Sequence, residues 1–146
     1  VRAMAGIKVV RRWPRYRQRR AMSPVASHAA IAPVAEGEAG AVRLIAIGVS
    51  TGGPPALQAV LSRLPATLGV PVLIVQHIAR GFVAGLAEWL NQRTPLDVRL
   101  AVDGEIARAN SVYLAPDGFH MGIDREARIL LDGGAPEYGM RPAVSY

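Results

Sequence analysis

The chain has 146 residues, of which 51% are hydrophobic, and a mean hydropathy of +0.21, so it is long enough for one buried core and too short for two typical domains. The formal charge of +6 is not spread over the chain, because residues 1–20 hold eight basic and no acidic side chains. Residues 21–146 hold nine basic and eleven acidic side chains, a net charge of −2, so the charge does not indicate a nucleic-acid surface on the fold. The absence of cysteine excludes disulfides and thiolate metal ligands, and charged side chains interrupt every apolar segment before it reaches the roughly 18 residues that span a bilayer. We therefore predict one globular domain in the cytoplasm, with no nucleic-acid partner and no membrane insertion.

Residues 1–41 differ in composition from the rest of the chain. The arginine-rich residues 1–20 are typical of an organelle transit peptide, a nucleic-acid arm or an interdomain linker, and we favour the linker. Residues 21–41 are rich in alanine, proline and small polar residues, which bury too little apolar surface to offset chain entropy. We expect residues 1–41 to be a mostly disordered linker. Because the first residue is Val1 rather than methionine, the chain either begins after processing or is a fragment of a longer protein, and we expect the fragment.

Strands and helices are predicted to alternate from Val42 onward. The apolar runs VRLIAIGV (42–49) and VPVLIVQ (70–76) are typical of strands buried on both faces of a parallel sheet. Residues 54–64, which begin with two prolines, and residues 81–93 have apolar side chains at helical spacing. This alternation predicts an α/β fold, a doubly wound, mostly parallel sheet with helices on both faces. Further short strands are expected at DVRLAV (97–102), SVYLAP (111–116) and ARILLD (127–132).

The first predicted strand is joined to the first helix by Gly48-Val49-Ser50-Thr51-Gly52, which fits the G-x-S-x-G pattern of a nucleophile elbow. Glycines allow the sharp turn that lifts the serine side chain above the sheet edge, and N–H groups at a helix start stabilise an oxyanion. A loop of this kind can also bind phosphate or only connect two elements. The glycine spacing fits neither a dinucleotide-binding fingerprint nor a P-loop. Ser50 is therefore a candidate nucleophile.

His77 follows the second predicted strand at its carboxyl end, where open α/β sheets collect their active residues. If the two strands are parallel neighbours, Ser50 and His77 emerge at the same sheet edge, and the imidazole can accept the serine proton. A histidine at a strand end is otherwise a surface or packing residue. We expect the two side chains to point into one shared cleft.

Several motifs in order resemble the catalytic domain of the chemotaxis protein-glutamate methylesterases. The resemblance covers roughly residues 42–146 and implies that this segment is the N-terminal part of that domain. The motifs are GVSTGG (48–53), PVLIVQHIARGF (71–82), DGE (103–105) and VYLAPDGFH (112–120).

The resemblance implies a site and a reaction. Ser50 corresponds to the nucleophile, His77 to the triad histidine, and the backbone N–H of Thr51 to part of the oxyanion hole, with no cofactor and no metal. The implied reaction is hydrolysis of γ-glutamyl methyl esters on methylated chemoreceptor proteins, which releases methanol, with related glutamine deamidation in some members. Members of the family usually carry a phosphorylatable receiver domain upstream, to which residues 1–41 would be the connection.

The chain also departs from the family pattern. The family's triad aspartate is expected beyond Tyr146, so Asp103, Asp117, Asp124 and Asp132 are not assigned to the triad, and Asp103 is expected to brace a loop. The family often has His-Arg-Pro-Ser-Val-Asp where this chain has Met-Arg-Pro-Ala-Val-Ser. The resemblance therefore implies a fragment without the triad acid, with weak or no activity.

Two points stay open in the sequence. His120 lies where the family commonly has a histidine, and a structural hydrogen bond is the default interpretation. A non-catalytic chemotaxis-type adaptor on the same fold is the alternative to the enzyme, and a nucleotide-binding module is the third possibility. The presence of both Ser50 and His77 favours the enzyme, because an adaptor is free to lose either residue.

Overall fold

The computed structural model describes residues 42–146, so the expected linker at residues 1–41, with its basic cluster, lies outside the described residues. The described segment contains a four-stranded sheet, two helices and a two-stranded ribbon. In chain order the elements are β1 (Ile45–Val49), α1 (Gly53–Leu61), β2 (Val72–Gln76), α2 (Val83–Asn91), β3 (Asp97–Leu100), β4 (Ser111–Leu114), β5 (His120–Ile123) and β6 (Ile129–Asp132).

Strands β1 to β4 form a parallel sheet in the order β1-β2-β4-β3. The two long apolar runs of the sequence are neighbours in this sheet, with Val49 of β1 opposite Gln76 of β2. The N–H of His77 donates to the carbonyl of Val49 at 2.9 Å, which extends the ladder by one residue. Both strands thus end at the same edge, and the predicted parallel α/β sheet is confirmed.

The two faces of the sheet are covered differently within residues 42–146. Val72 and Ile74 point to the face on which both helices pack, because they share a buried cluster with Leu57 of α1 and Leu90 of α2. Leu73 of β2 and Tyr113 of β4 point to the other face, because side chains alternate along a strand, and they form a second buried cluster with Met121 of β5 and Ile129 of β6. The antiparallel β5–β6 ribbon therefore covers the second face, so the two helices of residues 42–146 lie on one face of the sheet and not, as the sequence predicts, on both.

Both helices are shorter than their apolar periodicity predicts. Helix α1 ends at Leu61 rather than 64, because the next two residues continue in tighter turns, with the Arg63 N–H bonded to the Val60 carbonyl. Helix α2 begins after Gly81, whose φ of +87° is incompatible with a helical residue. With nine residues each, neither described helix is long enough to cross a membrane, and residues 42–146 contain no other helix that is.

Candidate active site

Ser50 and His77 lie at the carboxyl edge of the sheet, directly after β1 and β2. Both line one cleft of about 290 Å³, whose opposite wall comes from Met140, Arg141 and Pro142 near the end of the described chain. The Ser50 side chain is exposed and the His77 side chain is half-buried. The structure thus brings together the two residues that the sequence singles out, while their catalytic roles stay a prediction.

The turn that carries Ser50 depends on two glycines. Gly52 has a φ of +78°, a left-handed conformation that favours glycine, and the N–H of Gly53 donates to the Ser50 carbonyl at 2.8 Å. A methyl group on Gly53 would overlap the amide oxygen of Gln76. The turn is therefore tight for two separate reasons, backbone conformation at Gly52 and close approach at Gly53.

The start of α1 presents backbone N–H groups beside Ser50. Within residues 42–146, neither the N–H of Thr51 nor that of Gly52 donates a hydrogen bond. The first turn of α1 has no acidic side chain and includes Pro54 and Pro55, which carry no N–H. Because the N-terminal end of a helix bears a partial positive charge, the Thr51 and Gly52 donors suit a developing negative charge on an oxygen next to Ser50.

Gln76, which is not among the residues predicted from the sequence, connects the serine turn to the histidine. Its side chain is 4% exposed, and its amide Nε2 donates to the carbonyls of Ser50 at 2.9 Å and of His77 at 2.8 Å. Both partners are acceptors, which fixes the assignment of the amide nitrogen. The sequence signal that could have identified it is a polar residue at the end of an otherwise apolar run. A buried amide in such a strand needs hydrogen-bond partners nearby.

No carboxylate of residues 42–146 is hydrogen bonded to His77, whose Nε2 is buried without a partner in that segment. The four aspartates that the sequence does not assign to the triad each accept a hydrogen bond from a backbone N–H instead. Asp103 accepts from Leu131 at 2.8 Å and Asp117 from Gly81 at 2.7 Å. Asp124 accepts from Arg128 at 2.7 Å and Asp132 from Gly134 at 2.9 Å. Asp103 thus joins its loop to β6, in agreement with the bracing role expected of it.

His120 does not line the cleft that holds Ser50, and its side chain is buried. Its Nδ1 accepts the N–H of Ala143 at 3.2 Å, so the ring proton is on Nε2, which donates to the carbonyl of Ala135 at 3.1 Å. The ring also stacks on Tyr146, with 4.5 Å between the centroids. His120 therefore holds the segment that carries Met140 and Arg141 against the domain, as the default interpretation expects.

Arg141 brings a positive charge to the cleft. Its Nη1 donates to the carbonyls of Gly133, at 2.6 Å, and Gly134, while its Nε is buried without a partner within residues 42–146. No group of three or more metal-binding side chains is assembled in the described part of the chain. The chemistry that this cleft offers is thus a hydroxyl, an imidazole, free backbone donors and a guanidinium.

Known proteins are similar to this chain in sequence and in fold. The family model described as CheB methylesterase matches residues 45–146. A protein-glutamate methylesterase/protein-glutamine glutaminase of Nitrosospira multiformis is 45% identical over 146 residues, which cover 100% of this chain and 40% of that protein. A protein of the same name from Symbiobacterium thermophilum is 50% identical over 102 residues, covering 70% of this chain and 28% of that protein.

A solved structure, the catalytic domain of the Thermotoga maritima CheB methylesterase, superposes with a TM-score of 0.66 at 36% sequence identity, covering 70% of this chain and 56% of that chain. The chain spans about 40% of the length of the curated relatives that it matches over its whole length. Because the family model accounts for well over half of the residues, the chain belongs to the CheB methylesterase family.

Proposed function

We propose that this chain supplies the nucleophile and the general base of a protein-glutamate methylesterase that acts on methylated chemoreceptor proteins. The observation that carries the proposal is the placement of Ser50 and His77 on one cleft at the ends of neighbouring parallel strands. The relatives' names support the substrate class, a glutamate ester on a protein. Neither a metal nor a cofactor takes part in this proposal.

In the proposed reaction, His77 accepts the proton of Ser50 as the serine oxygen attacks the γ-carbonyl carbon of the methyl ester. The Thr51 N–H, with that of Gly52 beside it, stabilises the tetrahedral oxyanion. The C–O bond to the methoxy group breaks, His77 returns the proton, and methanol leaves. Water then attacks the acyl-serine with His77 again as base, which restores Ser50 and yields glutamate. Attack on glutamine by the same route releases ammonia.

From the greater length of the relatives and from the family resemblance, we infer that a receiver domain lies upstream and regulates the site. We also infer that the protein acts in the cytoplasm, which the cysteine-free sequence fits.

The direct test measures methanol release from a methyl-esterified chemoreceptor by the complete gene product. Substitution of Ser50 by alanine is expected to lower turnover by at least about 10³-fold, because the remaining groups can bind the ester but cannot form the acyl intermediate. Ser62→Ala is the matched control, since Ser62 lies at the far end of α1 and is exposed. Turnover that survives Ser50→Ala would show that Ser50 is not the nucleophile, whereas the absence of methanol release by the unmodified protein would leave the non-catalytic adaptor as the better interpretation.

A further inference from the structure

Gln76 is a polar residue at a position where packing alone favours an apolar one. It ends the otherwise apolar strand β2, and its side chain is 4% exposed. Because side chains alternate along a strand, it points to the same face as Val72 and Ile74, which belong to the buried cluster under the two helices. Burial of an amide is unfavourable unless the amide is hydrogen bonded. The partners of Gln76 therefore indicate its role.

Both N–H bonds of the Gln76 amide are used on the two candidate catalytic residues. Nε2 donates to the backbone carbonyl of Ser50 at 2.9 Å and to that of His77 at 2.8 Å, and an amide nitrogen has only two hydrogens to donate. The amide oxygen accepts no hydrogen bond within residues 42–146. It lies against Gly53, the first residue of α1, where the partial positive charge of a helix start favours an oxygen.

The bond to Ser50 sets the direction of the Thr51 N–H. The Ser50 carbonyl accepts from Gln76 and also from the N–H of Gly53 at 2.8 Å, so two donors hold its direction. The peptide bond between Ser50 and Thr51 is trans, and in a trans peptide the N–H points opposite to the carbonyl. The Thr51 N–H is thus turned away from the buried amide and has no acceptor within residues 42–146, which leaves it available to an oxygen beside Ser50.

The bond to His77 fixes the backbone of the histidine relative to the serine turn. The His77 N–H donates to the Val49 carbonyl at 2.9 Å, and the His77 carbonyl accepts from Gln76. Two bridges therefore join the ends of β1 and β2, of which one is a ladder bond between the strands and the other is the amide. A single hydrogen bond permits rotation about itself, whereas bonds on both sides of His77 define the direction of its side chain.

We propose that Gln76 is a positioning residue of the esterase reaction, which orients the Thr51 N–H as oxyanion donor and holds the backbone of His77 beside Ser50. Gln76 acts through the backbone of these residues and not on the substrate. The proposal rests on the proposed function for the reaction itself. Because an oxyanion donor acts when negative charge forms in the transition state, loss of Gln76 lowers turnover and leaves binding of the ester unchanged.

The test measures methanol release from a methyl-esterified chemoreceptor by the complete gene product that carries Gln76→Met. Methionine is an unbranched side chain of similar length that fills the space without a strong donor. We expect kcat to fall about 30-fold, below the roughly 10²–10³-fold loss that follows removal of an oxyanion donor, because the N–H remains but is misdirected. KM is expected to stay within about twofold. An unchanged kcat, or a loss that lies in KM alone, would overturn the proposal.

Ile74→Val is the matched control, because Ile74 is buried on the same face of β2 and the substitution removes one methylene without removing a hydrogen bond. It is expected to lower stability and to leave kcat and KM within about twofold. An equal fall of kcat in both variants would assign the effect to stability and reject the positioning role.

A second variant covers the case that Gln76→Met does not fold. Gln76→Asn keeps an amide but is one methylene too short to reach both carbonyls. The same fall of kcat at constant KM is expected for it, and an unchanged kcat counts against the proposal.

A structural measurement separates the positioning role from the reaction. Residual dipolar couplings of the nitrogen-15-labelled complete gene product report the direction of each N–H bond, whether or not an ester is hydrolysed. The coupling of Thr51 is expected to change in Gln76→Met and to stay the same in Ile74→Val. That result supports the orientation of Thr51 by Gln76 even when no methanol is released, and in that case the proposed function alone fails. A Thr51 coupling that is unchanged in Gln76→Met rejects the proposal whether or not Ser50 is active.

Discussion

A single buried amide, that of Gln76, ties the serine turn to the histidine. A methyl group on Gly53 would overlap its Oε1 atom, so Gly53→Ala must displace the amide from the carbonyls of Ser50 and His77. We expect the free energy of unfolding to fall by about 1–3 kcal/mol, as for other buried groups that lose their hydrogen-bond partner. Urea denaturation measures this change.

Gly53 and Gln76 together test this explanation of the lost stability, because the overlap requires both the added methyl group and the amide. In the Gly53→Ala, Gln76→Ala double variant the space left by the amide accepts the added methyl group, so the loss of stability is expected to be smaller than the sum of the two single losses. Additive losses would show that Gly53 and Gln76 act independently.

A second side chain, His120, uses both ring nitrogens within the domain. Its contacts with Ala143 and Ala135 require the proton on Nε2, and nitrogen-15 NMR of the ring is expected to show that tautomer. His120→Phe keeps an aromatic ring against Tyr146 but leaves the Ala143 N–H without its acceptor, and should cost about 1–3 kcal/mol. Observation of the Nδ1–H tautomer, or an unchanged stability of the variant, would contradict this account.

At the level of secondary-structure elements, replacing glycine by alanine is expected to change stability in opposite directions before α1 and inside α2. Gly52, before α1, has a φ of +78° and open space around it, so Gly52→Ala is expected to cost about 1–2 kcal/mol through backbone strain alone. Gly85, inside α2, also has open space but no positive φ, so Gly85→Ala is expected to gain about 0.5–1 kcal/mol. Thermal or urea unfolding of the two variants should shift in opposite directions, and equal signs would disprove the assignment.

For the molecule as a whole, the expected activity depends on the partner of His77. Residues 42–146 provide no carboxylate bonded to this imidazole, whereas a triad acid orients the histidine and stabilises the imidazolium, at a cost of about 10⁴ in turnover when it is lost. The chain spans about 40% of the length of its curated relatives. We therefore expect methanol release by residues 1–146 alone to be near background and to rise at least about 10³-fold in the complete gene product.

Two checks accompany that comparison. The far-ultraviolet circular dichroism of the 146-residue chain must show folded structure, so that low activity is attributed to the site rather than to unfolding. Robust hydrolysis by residues 1–146 that disappears in Ser50→Ala would show that no further acid is needed.

The sequence by itself determined the α/β class, the pairing of the two apolar runs and the position of Ser50 and His77 at one sheet edge. These features follow from local patterns: continuous apolar runs indicate buried strands, and a glycine-rich turn between a strand and a helix carries the serine. Strand β5 was not predicted, because His120–Ile123 has a central glycine and no apolar alternation.

Only the tertiary structure decided which residues complete the site. The hydrogen bonds of Gln76 to two separate loops, the partners of His120, and the closing of the cleft by Met140 and Arg141 all join residues that are distant in sequence. The tertiary structure also decided which elements cover each face of the sheet. Periodicity shows that a helix has an apolar side, but it does not show against which face of the sheet that side packs. Such contacts depend on the packing of whole elements, which no local pattern encodes.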